Sequence, residues 1–194
     1  MQMTSSITDA PPRPSTAFVG EIVLTRGPLA SVAVAVRDHL EQEPESSVLV
    51  FDDETGHVVD LDLRGSPADI TARLSAGAPR GRGRPKLGVI AREVTLLPRH
   101  WDWLAAQPGG ASQTLRRLIE DAKRGDRGET QIRASQEAAY RFMNALAGNL
   151  PAYEDALRAL FARDEARFAA LTADWPEDIR TYAQELAWGS LREG

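Results

Sequence analysis

Residues 48–63 have the sequence VLVFDDETGHVVDLDL, and this stretch decides the fold class. The apolar run at 48–51 is typical of a buried strand, whereas 57–63 alternates apolar and acidic residues as a half-buried strand does. The polar residues between the two runs, together with Gly56, predict a hairpin turn. We therefore assign the acidic residues at 52–54 and 60–62 to a solvated turn and a solvated strand face rather than to a metal site.

The residues before and after this hairpin predict a small α+β unit over 17–76. The stretch AFVGEIVL at 17–24 indicates a strand, and residues 28–42 have the apolar spacing of an amphipathic helix that starts at Pro28. Ser66 is a typical N-cap for a short helix that begins at Pro67. Residues 1–16 are polar and proline-rich, so we expect a disordered arm.

The C-terminal region, residues 128–194, is helical in pattern. We predict three or four short helices, packed as a bundle or against the first unit. Their aromatic residues fall at helical spacing, for which core packing is a sufficient explanation. The predicted fold class is α+β, with an N-terminal strand and helix unit, a central strand-helix-helix segment and a C-terminal helical bundle.

Charge is divided unevenly along the chain. Residues 80–127 carry eleven Lys or Arg and five Asp or Glu, a net charge of +6, whereas the remaining residues carry −11. The chain has no cysteine and no apolar run of about 20 residues, the length that a membrane helix needs. These features predict a cytoplasmic protein without a membrane contact, whose contact with a polyanion is confined to the central region.

Residues 77–88 form a basic Gly/Pro/Arg linker whose core is Arg82-Gly83-Arg84-Pro85. This core resembles the AT-hook, an arm that lies in the minor groove of A·T-rich DNA. A glycine lets the backbone approach the floor of the groove, and guanidinium groups follow the negative potential of narrow A·T tracts. The resemblance implies DNA contacts by Arg80, Arg82, Gly83, Arg84 and Lys86. The alternative is a flexible linker that the arginines keep solvated.

Residues 89–127 contain a short apolar strand pattern at 91–96 and two helical patterns separated by a glycine turn. The order of these elements resembles the ribbon-helix-helix DNA-binding fold, in which two chains pair their strands and insert the ribbon into the major groove. The resemblance places Val94 and Leu96 in a homodimer core. The alternative is a helical hairpin that completes the core of the first unit.

The same resemblance assigns the DNA contacts of this segment. It directs Ala91, Glu93 and Thr95 at the bases and brings the amides near Ser112 and Gln113 to a phosphate, while Arg92 adds electrostatic attraction. The sequence departs from the usual pattern because Ala91 offers no hydrogen bond and Glu93 repels phosphate. The helix after the glycine turn is expected to start at Ser112 and to bury Leu115, Leu118, Ile119 and Ala122.

Several stretches are similar to a bacterial family described as domain of unknown function 2239. They are GRGRPKLGVIAREVTLLPRHWDWLAAQPGGASQTLRRLIEDAK, VLVFDDETGHVVDLDLRG and QEAAYRFMNALAGNLPAYEDALRALFA, and the similarity extends through the final helices. The resemblance implies a bacterial cytoplasmic protein and brings no activity with it.

No pattern in the sequence points to catalysis, to a metal or to a cofactor. The histidines His39, His57 and His100 are not at metal-ligand spacing, and the sequence lacks a nucleophile elbow and a phosphate-binding loop. We expect a non-catalytic DNA-binding regulator that acts as a homodimer on double-stranded DNA, with a preference for A·T-rich sites. The alternatives are an adaptor that binds another protein, and an enzyme whose site consists of carboxylates only.

Overall fold

The structure is a computed structural model that describes residues 14–75, 93–126 and 128–189. The chain divides into two compact units. The sheet unit joins the described residues up to Ser75 with those from Gln131 onward, and the central unit consists of the described residues between 93 and 130. The predicted linker at 77–88 and residues 1–13 of the predicted arm lie outside the described residues.

The first strand pattern forms two strands. Strands β1, Pro14–Val19, and β2, Ile22–Pro28, pair antiparallel, with Val19 opposite Ile22. The prediction of one strand over 17–24 was wrong because Gly20 adopts a φ of +58° and reverses the chain there. The strand also begins earlier than expected, so that Ser15 and Thr16, which we had placed in a disordered arm, are buried.

Strand β3, Val48–Asp52, pairs antiparallel with β1 and completes a three-stranded sheet of order β2-β1-β3. The predicted second strand of the hairpin, at 57–63, is reduced to one isolated bridge between Phe51 and Val58. The alternation nevertheless predicted the packing correctly, because Val59, Leu61 and Leu63 are half-buried on one side.

The helices that follow the strands begin close to the predicted positions. Helix α1, Leu29–Gln42, follows Pro28 and buries Val32, Ala33 and Val36. Helix α2, Pro67–Ser75, is capped as predicted, since the Ser66 hydroxyl accepts a hydrogen bond from the Asp69 amide and the Asp69 carboxylate accepts one from the Ser66 amide.

The C-terminal region is helical, as predicted. It contains α5, Glu129–Leu146, α6, Tyr153–Phe161, α7, Glu165–Leu171, α8, Glu177–Gln184, and a terminal π-helical turn, Glu185–Gly189. The central unit supplies α3, Pro98–Ala105, and α4, Gly110–Gly125.

Adjacent residues of the strands point to opposite faces of the sheet and therefore enter different cores. Ala17 and Val50 pack with Val32 and Val36 of α1 on one face. On the other face Phe18 and Phe51 belong to the main core with the C-terminal helices. The sequence left open whether the C-terminal helices form a separate bundle or pack against the residues of the first unit. They pack against the sheet of the first unit.

The turn between β3 and residue 57 makes a close contact with α5. Asp52 Oδ1 accepts hydrogen bonds from the amides of Glu54 and Thr55, at 3.0 and 2.9 Å, and Arg141 donates to the Thr55 carbonyl at 2.9 Å. Gly56 has a φ of +66°, and a Cβ atom placed on it would lie 2.1 Å from the Ala138 carbonyl oxygen. A glycine is required here by both the backbone conformation and the lack of space.

We expect Gly56→Ala to lower the free energy of unfolding by about 3 kcal/mol, because left-handed backbone strain and a clash with α5 add together. Chemical denaturation followed by circular dichroism measures this change. Gly20→Ala is the matched control: Gly20 also has positive φ but has open space around it. It should cost only about 1 kcal/mol, and equal effects of the two substitutions would show that the contact with Ala138 contributes nothing.

Tyr182 links α8 to the same turn. Its hydroxyl donates to Asp53 Oδ1 at 2.6 Å, and Thr16 donates to the same oxygen at 2.9 Å. Burial, and then the hydrogen bond to Asp53, raise the pKa of Tyr182 well above its ordinary value.

Tyr182→Phe should lower the free energy of unfolding at neutral pH by about 1 to 2 kcal/mol, because it removes the hydrogen bond to Asp53. Tyr153→Phe, which removes a long exposed contact of 3.5 Å to Asn144, should change it by less than about 0.5 kcal/mol.

The raised pKa also predicts a pH dependence. The unfolded chain ionises this tyrosine near pH 10 while the folded chain keeps it protonated, so the wild-type protein should lose stability as pH rises above about 10. This loss should be smaller in Tyr182→Phe. Denaturation curves at several pH values between about 8 and 11 test it, and identical slopes for the two proteins would contradict it.

Candidate nucleic-acid interface

The residues predicted to contact DNA fall into two groups. Those of the arm, together with the first two residues of the ribbon, lie outside the described residues: Arg80, Arg82, Gly83, Arg84, Lys86, Ala91 and Arg92. The others belong to the central unit, where Glu93, Thr95, Ser112 and Gln113 are all exposed.

Residues 93–97 form neither a helix nor a strand in the single chain. They are not part of the three-stranded sheet of the described residues. Val94, predicted to lie in a dimer core, is 54% exposed, and Leu96 is half-buried. The predicted ribbon would join strands of two chains, so it stays a prediction.

The second helix of the central unit starts earlier than expected. Gly109 occupies the N-cap position with a φ of +83°, and α4 begins at Gly110. The prediction that Ser112 is the N-cap was wrong, because the two consecutive glycines Gly109 and Gly110 both adopt positive φ and reverse the chain before Ser112. A Cβ atom on Gly109 would lie 1.9 Å from the Gln113 side-chain oxygen, so this side chain folds back over the glycine.

This shift changes which amides could face a phosphate. Only the amides of the N-cap and the first three helical residues lack an acceptor within the helix. The Gly110 amide donates to the Gln107 carbonyl at 3.0 Å. Gly110 itself has a φ of +72°, so the helical conformation begins at Ala111, and the amides of Ala111, Ser112 and Gln113 lie in the first helical turn.

The basic residues of α4 fall into two classes. Lys123 pairs with Glu120 at 3.8 Å, and Arg124 pairs with Asp121 at 2.5 Å. Arg116 and Arg117, one to two turns earlier, are exposed and form no ion pair with a described carboxylate. The central unit therefore offers free positive charge at Arg116 and Arg117.

Arg99, at the start of α3, is likewise exposed and forms no ion pair with a described carboxylate. None of these three arginines was among the residues predicted to contact DNA. On α4, Glu120 has Arg116 four residues before it and Lys123 three residues after it, and both spacings allow a pair. An acid pairs better with a base that follows it on a helix than with one that precedes it. This preference could have predicted that Glu120 pairs with Lys123 and leaves Arg116 free.

Apolar side chains of the central unit are largely exposed. Leu118 is 42% and Ile119 56% exposed, although the spacing predicted that both are buried. The buried residues of α3 and α4 are Leu104 and Thr114. Of the other two residues of the predicted face, Leu115 is half-buried and Ala122 is exposed. The prediction was therefore wrong for Leu118, Ile119 and Ala122, because the described residues leave this part of α4 uncovered.

Both tryptophans of α3 are exposed, Trp101 by 42% and Trp103 by 50%. Leu97, which precedes the helix, is 50% exposed. Of the ten large apolar side chains that are exposed among the described residues, six therefore belong to the small central unit. Such a concentration is typical of an interaction surface.

The sheet unit contains an open charged cleft of about 600 Å³ at the start of α2, bordered by Asp62, Arg64, Asp69 and Arg73. Arg64 donates two hydrogen bonds to Asp62, at 2.8 and 2.9 Å, and lowers the pKa of that carboxyl. Ser66 donates to Asp69 and lowers its pKa as well. Carboxylates held in the ionised form by such partners are poorly suited to acid–base catalysis near neutral pH.

Within residues 14–75, 93–126 and 128–189, no three histidine, aspartate or glutamate side chains come together in a way that could hold a metal ion. In the same ranges no helix combines the length and the apolar character that a bilayer crossing requires.

Comparison with known proteins places the chain in a family. No curated protein and no solved structure matches it. Residues 14–187 match a family described as an uncharacterised protein conserved in bacteria. This match spans both units and all the described strands and helices except the last π-helical residues. The chain therefore belongs to the bacterial family of domain of unknown function 2239.

Proposed function

We propose that the protein is a cytoplasmic, non-catalytic DNA-binding regulator that acts as a homodimer through residues 89–124, with the arm at 82–86 in the minor groove. The observation that carries the proposal is the composition of the central unit's surface. Exposed apolar side chains that call for a second chain lie in the same small unit as arginines without an acidic partner.

The apolar side chains support dimerisation. Val94, Leu97, Leu118 and Ile119 are each between 42% and 56% exposed. Burial of apolar surface contributes roughly 25 cal/mol per Å², so a second copy that covered these residues would gain a substantial association energy. Residues 93–97 form no strand of the described sheet, so their backbone is available to pair with the same residues of another copy.

The arginines support binding to a polyanion. Arg99, Arg116 and Arg117 have no described carboxylate to neutralise them, and the sequence adds Arg80, Arg82, Arg84 and Lys86 shortly before. A local excess of guanidinium groups attracts phosphates even on a chain with net negative charge. Each phosphate contact releases counterions, which makes the affinity depend on salt.

In the proposed complex, the arm with Arg82, Gly83 and Arg84 lies in the minor groove of an A·T-rich site. The strand ribbon enters the major groove, where Glu93 and Thr95 face base edges and Arg92 faces the backbone. The amides of Ala111, Ser112 and Gln113 at the start of α4 approach a phosphate. Regulation follows from occupancy of the site, without a chemical step.

A second candidate function is that of an adaptor for another protein. Trp101 and Trp103 favour it, because exposed tryptophans are frequent anchors of protein interfaces. In that case the basic segment would contact an acidic partner instead of DNA. Binding to a random duplex separates the two functions, because an adaptor has no reason to bind it.

We expect the full chain to bind an A·T-rich duplex with an affinity that falls steeply as salt rises. If about four to six phosphates are neutralised per chain, log affinity against log salt should have a slope of roughly −4 or steeper. Arg82→Ala with Arg84→Ala should flatten this slope by about 2 units and reduce the preference for A·T-rich DNA. Fluorescence anisotropy of a labelled duplex measures both quantities.

The matched variants on α4 sharpen this test. Arg116→Ala with Arg117→Ala removes two free charges and should flatten the slope by about 1 to 2 units. Lys123→Ala with Arg124→Ala removes the same charge from the same helix, but from side chains already paired with acids, and should have a smaller effect. Absence of duplex binding at about 50 mM salt would refute the proposal.

Dimerisation is tested separately by sedimentation equilibrium. We expect Ile119→Glu to raise the dissociation constant of the dimer at least 100-fold, because it places an unpaired charge in the interface. Ile22→Glu is the matched control, since Ile22 is 69% exposed on β2 in the sheet unit. It should leave the dimer unchanged. A wild-type protein that is monomeric at about 100 μM would contradict a dimer of ordinary micromolar affinity.

A further inference from the structure

The hairpin formed by β3 and the residues after it separates soon after its turn. Near the turn the two segments are joined: the Asp52 amide donates to the His57 carbonyl at 3.0 Å, and the Val59 amide donates to the Val50 carbonyl at 2.7 Å. Farther from the turn, among these described residues, no backbone hydrogen bond joins 60–63 to 46–49. The alternating sequence at 57–63 had predicted continuous pairing.

The separation opens an apolar cleft of about 250 Å³. Its walls come from α1, with Val36 and Leu40, from β3, with Val48 and Val50, and from the departing segment, with Val59, Leu61 and Leu63. Val36 and Val50 are buried, whereas the other apolar walls are only half-buried. The smaller core of the sheet unit is thus incompletely covered at this place.

The chemistry of the lining limits what could fill the cleft. Val and Leu dominate, and the polar side chains of the lining are Ser46 and the exposed Asp60. No lysine or arginine lines it, so an anion would find no counter-charge there and would be repelled by Asp60. An apolar cavity of roughly 150 Å³ already accommodates benzene, so this cleft has room for a monocyclic or short aliphatic molecule.

One backbone position adds a polar contact. Alternate residues of an antiparallel strand direct their N–H and C=O groups to the same side. Val50 and Asp52 form their hydrogen bonds on the side of residues 57–59, so Val48, which is two residues from Val50, directs its groups to the same side. The partner that continuous pairing would have supplied there, near Leu61, has moved away.

We propose that this cleft is a binding site for a small uncharged molecule with an apolar body and one hydroxyl or carboxamide group. The apolar body packs between Leu40 of α1 and the Leu61–Leu63 segment, and the polar group bonds to the Val48 backbone. An added peptide strand fits less well, because strand addition needs several free backbone positions along an edge. Here β3 begins at Val48, so the strand offers one such position. The proposal does not depend on DNA binding.

Benzamide, benzoate and benzylamine provide matched probes, since they share a ring but differ in charge. Titrated into the isotope-labelled full chain, benzamide should shift the amide resonances of Val36, Val48 and Leu61 in ¹H–¹⁵N spectra. Benzoate should bind at least ten-fold more weakly than benzamide, because its charge is unpaired in the cleft. Benzylamine should also bind more weakly than benzamide, since its charge loses hydration within apolar walls.

Two variants fill the cleft from different walls, Val59→Phe from the departing segment and Val48→Phe from β3. Each should weaken benzamide binding at least ten-fold, whereas Ile22→Phe, on the exposed edge strand, should leave it unchanged. If a filling variant does not fold, the shifts in the wild-type spectrum decide by themselves.

Three outcomes would overturn the assignment. The first is the absence of shifts at about 10 mM benzamide, a concentration that reveals even a weak millimolar site. The second is a set of shifts that maps to other residues, such as the exposed Trp101 and Trp103. The third is a valine-rich peptide that shifts Val48 and Leu61 at lower concentration than benzamide, which would identify the cleft as a site for strand addition.

Discussion

The sheet unit depends on the packing of Phe18 and Phe51 against Phe142 and Tyr182. These four rings, two from strands and two from helices, lie with centroids 4.7 to 6.4 Å apart, and most of the pairs meet at steep angles that favour edge-to-face contact. Helix α1 covers the face of the sheet that carries Ala17 and Val50, which leaves Phe18 and Phe51 on the opposite face in need of a cover. The helices that begin near residue 129 supply the missing layer, although about 75 residues separate them from β3 along the chain.

The turn after β3 makes this packing specific. Gly56 lets the turn approach the backbone of α5, and Asp53 accepts hydrogen bonds from both Thr16 and Tyr182. We had assigned the acidic residues at 52–54 to a solvated turn. Two of them, Asp52 and Asp53, instead accept hydrogen bonds that hold the turn in place. The turn is held against α5 and α8 and so helps to close the main core. Residues 60–63, which follow the turn, leave β3, so the smaller core stays open there.

The central unit differs from the sheet unit in how it satisfies its apolar residues. Two short helices joined by a glycine turn bury Leu104 and Thr114 but leave Leu118 and Ile119 exposed. Arg99, Arg116 and Arg117 in the same unit form no ion pair with a described carboxylate. Residues 93–126 nevertheless carry five acids and five bases, so the positive excess of this part of the chain comes from the basic residues at 80–92. The proposed homodimer on DNA accounts for both features, whereas an adaptor role would use the tryptophans and leave the arginines to an acidic partner.

Local patterns in the sequence determined the class of structure and most helix starts. These signals are local. Pro28 and Ser66 with Pro67 act within the first turn of the helices that they start, so their effect does not depend on distant residues. Tertiary structure decided the rest. Three features depend on residues that packing brings together or leaves apart. They are whether 57–63 pairs with β3, whether Glu120 pairs with Lys123 or with Arg116, and whether the face of Leu118 is covered. A periodicity shows which face is apolar, but what covers that face is set by the balance of burial and backbone pairing in three dimensions.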